Sequence, residues 1–101
     1  MNLISVVKFK VKPEFEDAFI ESWKGTPRSN ANFSKLIVLE DSVYVSISEL
    51  PDISDAVQDE EAGIPWLDTV EHMLVKFGDS RTDAYSGLVV AGYEKGVAVD
   101  Q

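Results

Sequence analysis

The stretch SVVKFKVKPEFEDAFIESW, Ser5 to Trp23, runs from a strand pattern into a helix pattern through one proline. The strand reaches back to Leu3 and on to Val11. Leu3, Val7, Phe9 and Val11 fall on one face, and Lys8, Lys10 and Lys12 on the other. Ile4 and Val6 make the first half apolar on both sides, so that end needs cover from two directions. Pro13 suits the first turn of a helix, and Glu14, Glu16 and Asp17 complement its N-terminal dipole. Phe15, Ala18, Phe19 and Trp23 share a face at helical spacing, and Gly25 marks the end after Lys24.

Working outward, residues Thr26 to Ser34 carry no period and read as a loop. Lys35 to Leu39 and Val43 to Leu50 are β-branched runs parted by Glu40, Asp41 and Ser42, which predicts a hairpin. In the second run Val43, Val45 and Ile47 alternate with Tyr44, Ser46 and Ser48, giving one apolar and one mixed face. After Pro51 the pattern turns helical in two pieces, Asp52 to Glu61 and Pro65 to Phe77, with Gly63 and Pro65 as the expected interruption. Gly78 stops the second piece. Asp79 to Gly87 reads as a polar loop, Leu88 to Tyr93 as a last strand, and Glu94 to Gln101 as a tail with an apolar patch at Val97 to Val99.

The order strand, helix, strand, strand, helix, strand predicts an α+β, ferredoxin-like β-α-β-β-α-β fold in a single domain of residues 1–101. Right-handed crossovers place both helices on one face of a four-stranded antiparallel sheet. The other face is then open, with Ile4, Val6, Tyr44 and one row of the Lys35 to Leu39 strand expected on it. That is more apolar surface than a monomer usually leaves bare, so the expected partner is a second copy, a homodimer closed face to face.

Composition narrows the function classes. Of the 101 residues, 45% are apolar and 10% aromatic, enough for one core. A net charge of −9, from 18 acidic and 9 basic side chains, repels phosphate backbones, and no basic stripe offsets it, so nucleic acid is not an expected partner. No apolar run approaches the roughly 20 residues that span a bilayer, and the N-terminus lacks a signal-peptide pattern, so the expected location is cytoplasmic, without membrane contact. The absence of cysteine excludes disulfides, thiolate nucleophiles and cysteine-held metal.

The segments VVKFKVKPEFEDAFIESW, AGIPWLDTVEHMLVKFG and GLVVAGYE together resemble the dimeric α/β-barrel superfamily, in particular antibiotic-biosynthesis-monooxygenase-like proteins. The resemblance covers nearly the whole chain and rests on pattern and element order. It implies dimerisation through the open sheet face, and a cleft between sheet and helices for flat aromatic or elongated apolar ligands. Superfamily activities include cofactor-free oxygenation and haem degradation. The haem degraders place an asparagine on the first strand and a histidine almost three turns beyond the tryptophan. Here Ser5 occupies the strand position and His72 follows Trp66 by six residues, so no haem, and no other cofactor, is expected.

His72 is the sole histidine and projects away from the arc of Trp66, Leu67, Val70, Met73, Leu74 and Phe77, beside Asp68, Thr69 and Lys76. A surface position is the expectation. The carboxylates Asp52, Asp55, Asp59, Glu60 and Glu61 read as a solvated face, and no metal site is expected. Trp66, Met73 and Phe77 are expected to wall the cleft with Val7 and Phe9 opposite, and Ser5, Tyr44 or Arg28 to supply the polar contact. Ser22 falls in the apolar row of its helix, where a bond to the carbonyl one turn back is the expected use of its hydroxyl. Three functions follow: binding of an apolar or amphipathic small molecule, flat or fatty-acid-like; cofactor-independent oxygenation of an activated aromatic; or a structural dimer without a ligand. No catalytic residue is assigned.

Overall fold

A computed structural model describes residues 2–26 and 30–99, without the side chains of Ala56, Asp59, Glu60 and Ala62. The opening strand, β1, spans Leu3–Val11 as the alternation predicts. A 3₁₀ turn at Pro13–Phe15 leads into α1, Glu16–Lys24. Phe19 on α1 is fully buried, Phe15 and Trp23 are half-buried, and Ala18 is exposed. β2, Phe33–Val38, and β3, Val43–Leu50, form the hairpin, with β2 starting two residues before the apolar run suggested.

The second helix differs from expectation. α2 runs unbroken over Ile53–Val70, through both Gly63 and Pro65. Asp52 caps it by accepting from the backbone N–H groups of Ser54 and Asp55. Packing of Trp66, Leu67 and fully buried Val70 against the core offsets the roughly 3 kcal/mol that an interior proline costs. The helix also ends earlier. A 3₁₀ turn at Glu71–Met73 hands the chain to β4, Leu74–Val75, which pairs with Lys10 and Val11 of β1. Edge pairing with β1 wins over continued helix there, and Leu74 is buried as a result. A tight turn with Gly78 at φ +61° follows. β5 spans Asp83–Leu88, beginning inside the segment that reads as a loop. β6, Gly92–Glu94, and β7, Val97–Val99, form a separate small hairpin from the segment that reads as a strand end and tail.

The main sheet is antiparallel with strand order β2-β3-β1, and β4 and β5 both lie along the outer edge of β1. The strand order is the expected one, but the place beside β1 is filled by β4 and β5, from segments that read as helix and loop, and of the expected strand Leu88 to Tyr93 only Leu88 pairs there. Register decides which side is covered. Phe9 sits opposite Tyr44, and Leu3 opposite Leu50, so Tyr44, Ser46, Ser48 and Leu50 face the helices. Tyr44 is buried against Phe19, ring centroids 5.6 Å apart, and not on the open face where the sequence pattern put it. The purely apolar row of β3, Val43, Val45 and Ile47, faces the open side with Ile4 and Val6 of β1 and Ile37 of β2. No helix among the described residues is long and apolar enough to cross a membrane.

Candidate functional site

Between α2 and the covered side of the sheet lies a pocket of about 390 Å³, within the usual size range of small-molecule sites. Its floor comes from three neighbouring strands: Leu3, Ser5, Val7 and Phe9 of β1, Ser46 and Ser48 of β3, and Ala84 and Ser86 of β5. Gly63, Ile64, Trp66 and Leu67 of α2 form the roof, and Thr82 and Tyr85 complete the wall. The floor is wide because serines and an alanine stand where larger strand residues would reach the helix.

Trp66 is the hinge of this arrangement. Its ring lies 5.8 Å from Phe9, nearly perpendicular, and 5.7 Å from Phe19. Its Nε1–H donates to Ser22 Oγ at 2.9 Å, tying α2 to α1. Ser22 therefore serves as an acceptor for an indole on the other helix, in place of the bond to the carbonyl one turn back expected from its position. One residue on, Trp23 Nε1–H donates to Ser46 Oγ at 3.2 Å, tying α1 to the pocket floor. Arg81 donates to Asp68 at 2.6 Å and lies 3.4 Å from Glu71, fastening the segment before Thr82 to the end of α2. The bond to Asp68 raises the Arg81 pKa.

Of the side chains expected in the cleft, the structure brings Trp66, Ser5, Val7 and Phe9 together in the pocket wall. Met73 packs against the core but does not line the pocket, because the chain has left the helix before reaching it. Phe77 lies across β1, bordering a shallow depression with Lys8, Lys10 and Val43 on the open side. Tyr44 donates to Glu16 Oε1 at 2.9 Å inside the core. Burial first, then the bond to Glu16 and the charges of Glu16 and Asp17, raise its pKa. Arg28 lies outside the described residues. His72 is exposed, its ring edge-on to Phe15 at 5.2 Å and away from the pocket. Among the described residues no group of three His, Asp or Glu side chains could hold a metal ion.

Sequence reasoning missed Ser46, Ser48 and Ser86. They carried no motif, and only the strand register reveals which way they face. Ser46 and Ser48 are the buried polar side chains among the described residues, and buried hydroxyls are informative because burial without a partner is costly.

No family model and no curated protein matches the sequence. Solved structures do match. A protein of unknown function from Nitrosomonas europaea aligns with TM-score 0.74 at 12% identity, over 92% of this chain and 93% of its own. An antibiotic biosynthesis monooxygenase aligns with TM-score 0.69 at 14% identity, over 87% and 98%. A mutant of SnoaB, a cofactor-independent oxygenase from Streptomyces nogalater, aligns with TM-score 0.60 at 15% identity, over 87% and 92%. At such identities the likeness speaks for architecture alone. The chain has the ferredoxin-like α+β fold of antibiotic biosynthesis monooxygenase-like proteins.

Proposed function

We propose that the protein is a homodimer that binds an apolar or amphipathic small molecule in the pocket beneath α2. The observation that carries the reading is the pocket itself, with aromatic and aliphatic walls from Phe9, Trp66 and Leu67 and a few hydroxyls on its floor. Support for the dimer comes from the open sheet face, where Ile4, Val6, Val43, Ile47 and Ile37 form an apolar patch without helix cover around buried Val45. The accessible surface, 6559 Å², also exceeds the about 5,700 Å² expected of a folded monomer this size.

Native mass spectrometry, beside a denatured extract of the same sample, tests both parts. A dimer carrying a few hundred extra daltons (on the scale of a drug-sized ligand) that are released on denaturation is the expected result. Ile47→Lys, placing a charge mid-face, is expected to give a monomer. A wild-type monomer overturns the dimer. A bare dimer that takes up no apolar probe overturns the binding reading and leaves the structural dimer.

A second reading is favoured by the fold shared with the Streptomyces oxygenase: oxygenation of an activated aromatic without a cofactor. The pocket would act by holding and desolvating a substrate that itself reacts with oxygen. Oxygen uptake with a hydroxylated polycyclic substrate, above the rate without protein, separates this reading from simple binding.

A further inference from the structure

The serines of the pocket floor are not scattered. Ser34 of β2 pairs with Ser48 of β3, Ser48 with Ser5 of β1, and Ser5 with Ser86 of β5. One hydroxyl per strand therefore forms a row straight across the sheet on its covered side, at the strand spacing of about 4.8 Å. Directly opposed residues share a face, and the neighbouring pairs on that face are Leu3 with Leu50 on one side and Val7 with Ser46 on the other, with Phe9 and Tyr44 beyond them. At buried Ser48 and half-buried Ser5 an apolar side chain would stabilise the sheet better than a hydroxyl.

Ser34 and Ser48 bond each other at 2.8 Å. Among the described residues the hydroxyls of Ser5 and Ser86 have no hydrogen-bond partner in the protein, and both line the pocket. Among the described residues no Lys, Arg or His lines the pocket, and the chain carries net charge −9. Serine hydroxyls both donate and accept, so they match alcohol and carbonyl oxygens alike. A carboxylate would enter without a countercharge, at a steep desolvation cost.

Resting on the pocket reading, we propose that Ser5, Ser48 and Ser86 form a recognition strip for a flat, uncharged ligand with hydroxyl or carbonyl oxygens along one edge. The ligand lies across the strands under α2, its oxygens one strand apart and its apolar body against Trp66. This narrows the ligand class: a free fatty acid or aromatic acid is disfavoured, and a neutral polyoxygenated ring system is favoured.

The test uses three probes at neutral pH in equilibrium dialysis: naphthalene, its 1,3-diol, whose oxygens lie on one edge about one strand spacing apart, and its 1,3-dicarboxylate. The diol is expected to bind at least about tenfold more tightly than the dicarboxylate. Ser5→Ala and Ser86→Ala preserve the space and remove only the hydroxyl. Each is expected to weaken the diol about three- to tenfold, the worth of one hydrogen bond, and to leave naphthalene unchanged. Ser86 is exposed and Ser5 half-buried, and circular dichroism melts check that both variants fold. Dicarboxylate binding as tight as the diol, or variants that shift diol and naphthalene alike, overturns the strip while the pocket stands. Binding of none of the three overturns the pocket reading and the strip with it.

Discussion

The contact between Trp66 and Ser22 sets how firmly the roof of the pocket is held, and a double-mutant cycle measures it. In Trp66→Phe the phenyl ring keeps the contacts with Phe9 and Phe19 in part and loses the 2.9 Å bond to Ser22 Oγ. A net hydrogen bond contributes about 1 kcal/mol. The smaller ring forfeits about another 1 kcal/mol, a fraction of the 3–5 kcal/mol for full truncation to alanine. Ser22→Ala keeps the indole but strands its N–H at a half-buried position, costing about 1 kcal/mol. Once the indole is gone, removing the Ser22 hydroxyl costs little more. The double variant is therefore expected near 2 kcal/mol instead of the additive sum of about 3, a coupling of about 1 kcal/mol. Urea unfolding followed by far-ultraviolet circular dichroism, at fixed protein concentration, gives all four stabilities. Each 1 kcal/mol corresponds to about 4–8 °C in Tm for a domain of this size. Additivity within about 0.3–0.5 kcal/mol would refute the view that this bond ties the two helices.

The hairpin turn between β2 and β3 holds Asp41 at φ 57° and Ser42 at φ 63°, the pair of left-handed residues in which glycine is preferred at the second position. Ser42→Gly is expected to raise stability by about 0.5 kcal/mol, the strain relieved less the entropy a glycine adds to the unfolded chain, as read by urea unfolding. Among the described residues, and apart from its own helix backbone and chain neighbours, a side chain built on Gly63 meets no atom within 4 Å, and Gly63 lines the pocket side of α2. Gly63→Ala is expected to stabilise the helix by about 0.5–1 kcal/mol, and Gly63→Phe to leave a folded protein that no longer takes up naphthalene in dialysis. Tyr44 has a folded pKa raised above its ordinary 10.0, so the folded state holds that proton longer. Its contribution is complete below pH 10 and is lost as pH rises through the folded value; Tyr44→Phe should flatten that part of the alkaline stability profile. Asp52 is shifted the other way, chiefly by its bond from the Ser54 hydroxyl and then by backbone N–H bonds, below its ordinary 3.8. The cap contribution should be full above pH 3.8 and disappear as pH falls through the folded value, and Asp52→Asn should remove that acid dependence in thermal melts.

Much of the fold was written in local pattern. The alternation from Leu3 to Val11, the proline and acidic turn before Phe15, and the β-branched runs flanking Asp41 each follow from the geometry of one element, and all three appear where the pattern places them. Trp66, Val7, Phe9 and Ser5 were legible as inward-facing positions for the same reason. The tertiary structure decided what local rules cannot. Pro65 and Gly63 weaken a helix, yet α2 crosses both, because the core contacts of Trp66 and Val70 outweigh propensity. Residues 74–77 carry a helical apolar spacing, yet the free edge of β1 draws Leu74 and Val75 into a strand and sends Phe77 to the far side of the sheet. The choice of covered face on β3 was beyond the sequence altogether. Val43, Val45 and Ile47 are the more apolar row, so burial beneath the helices was the natural reading, but a period of two cannot say which face the helices take. Pairing with β1 decides it, and that decision turns Ser46 and Ser48 inward and aligns Ser34, Ser5 and Ser86 with them. The residues were always in the sequence; their row exists only once four strands are in register.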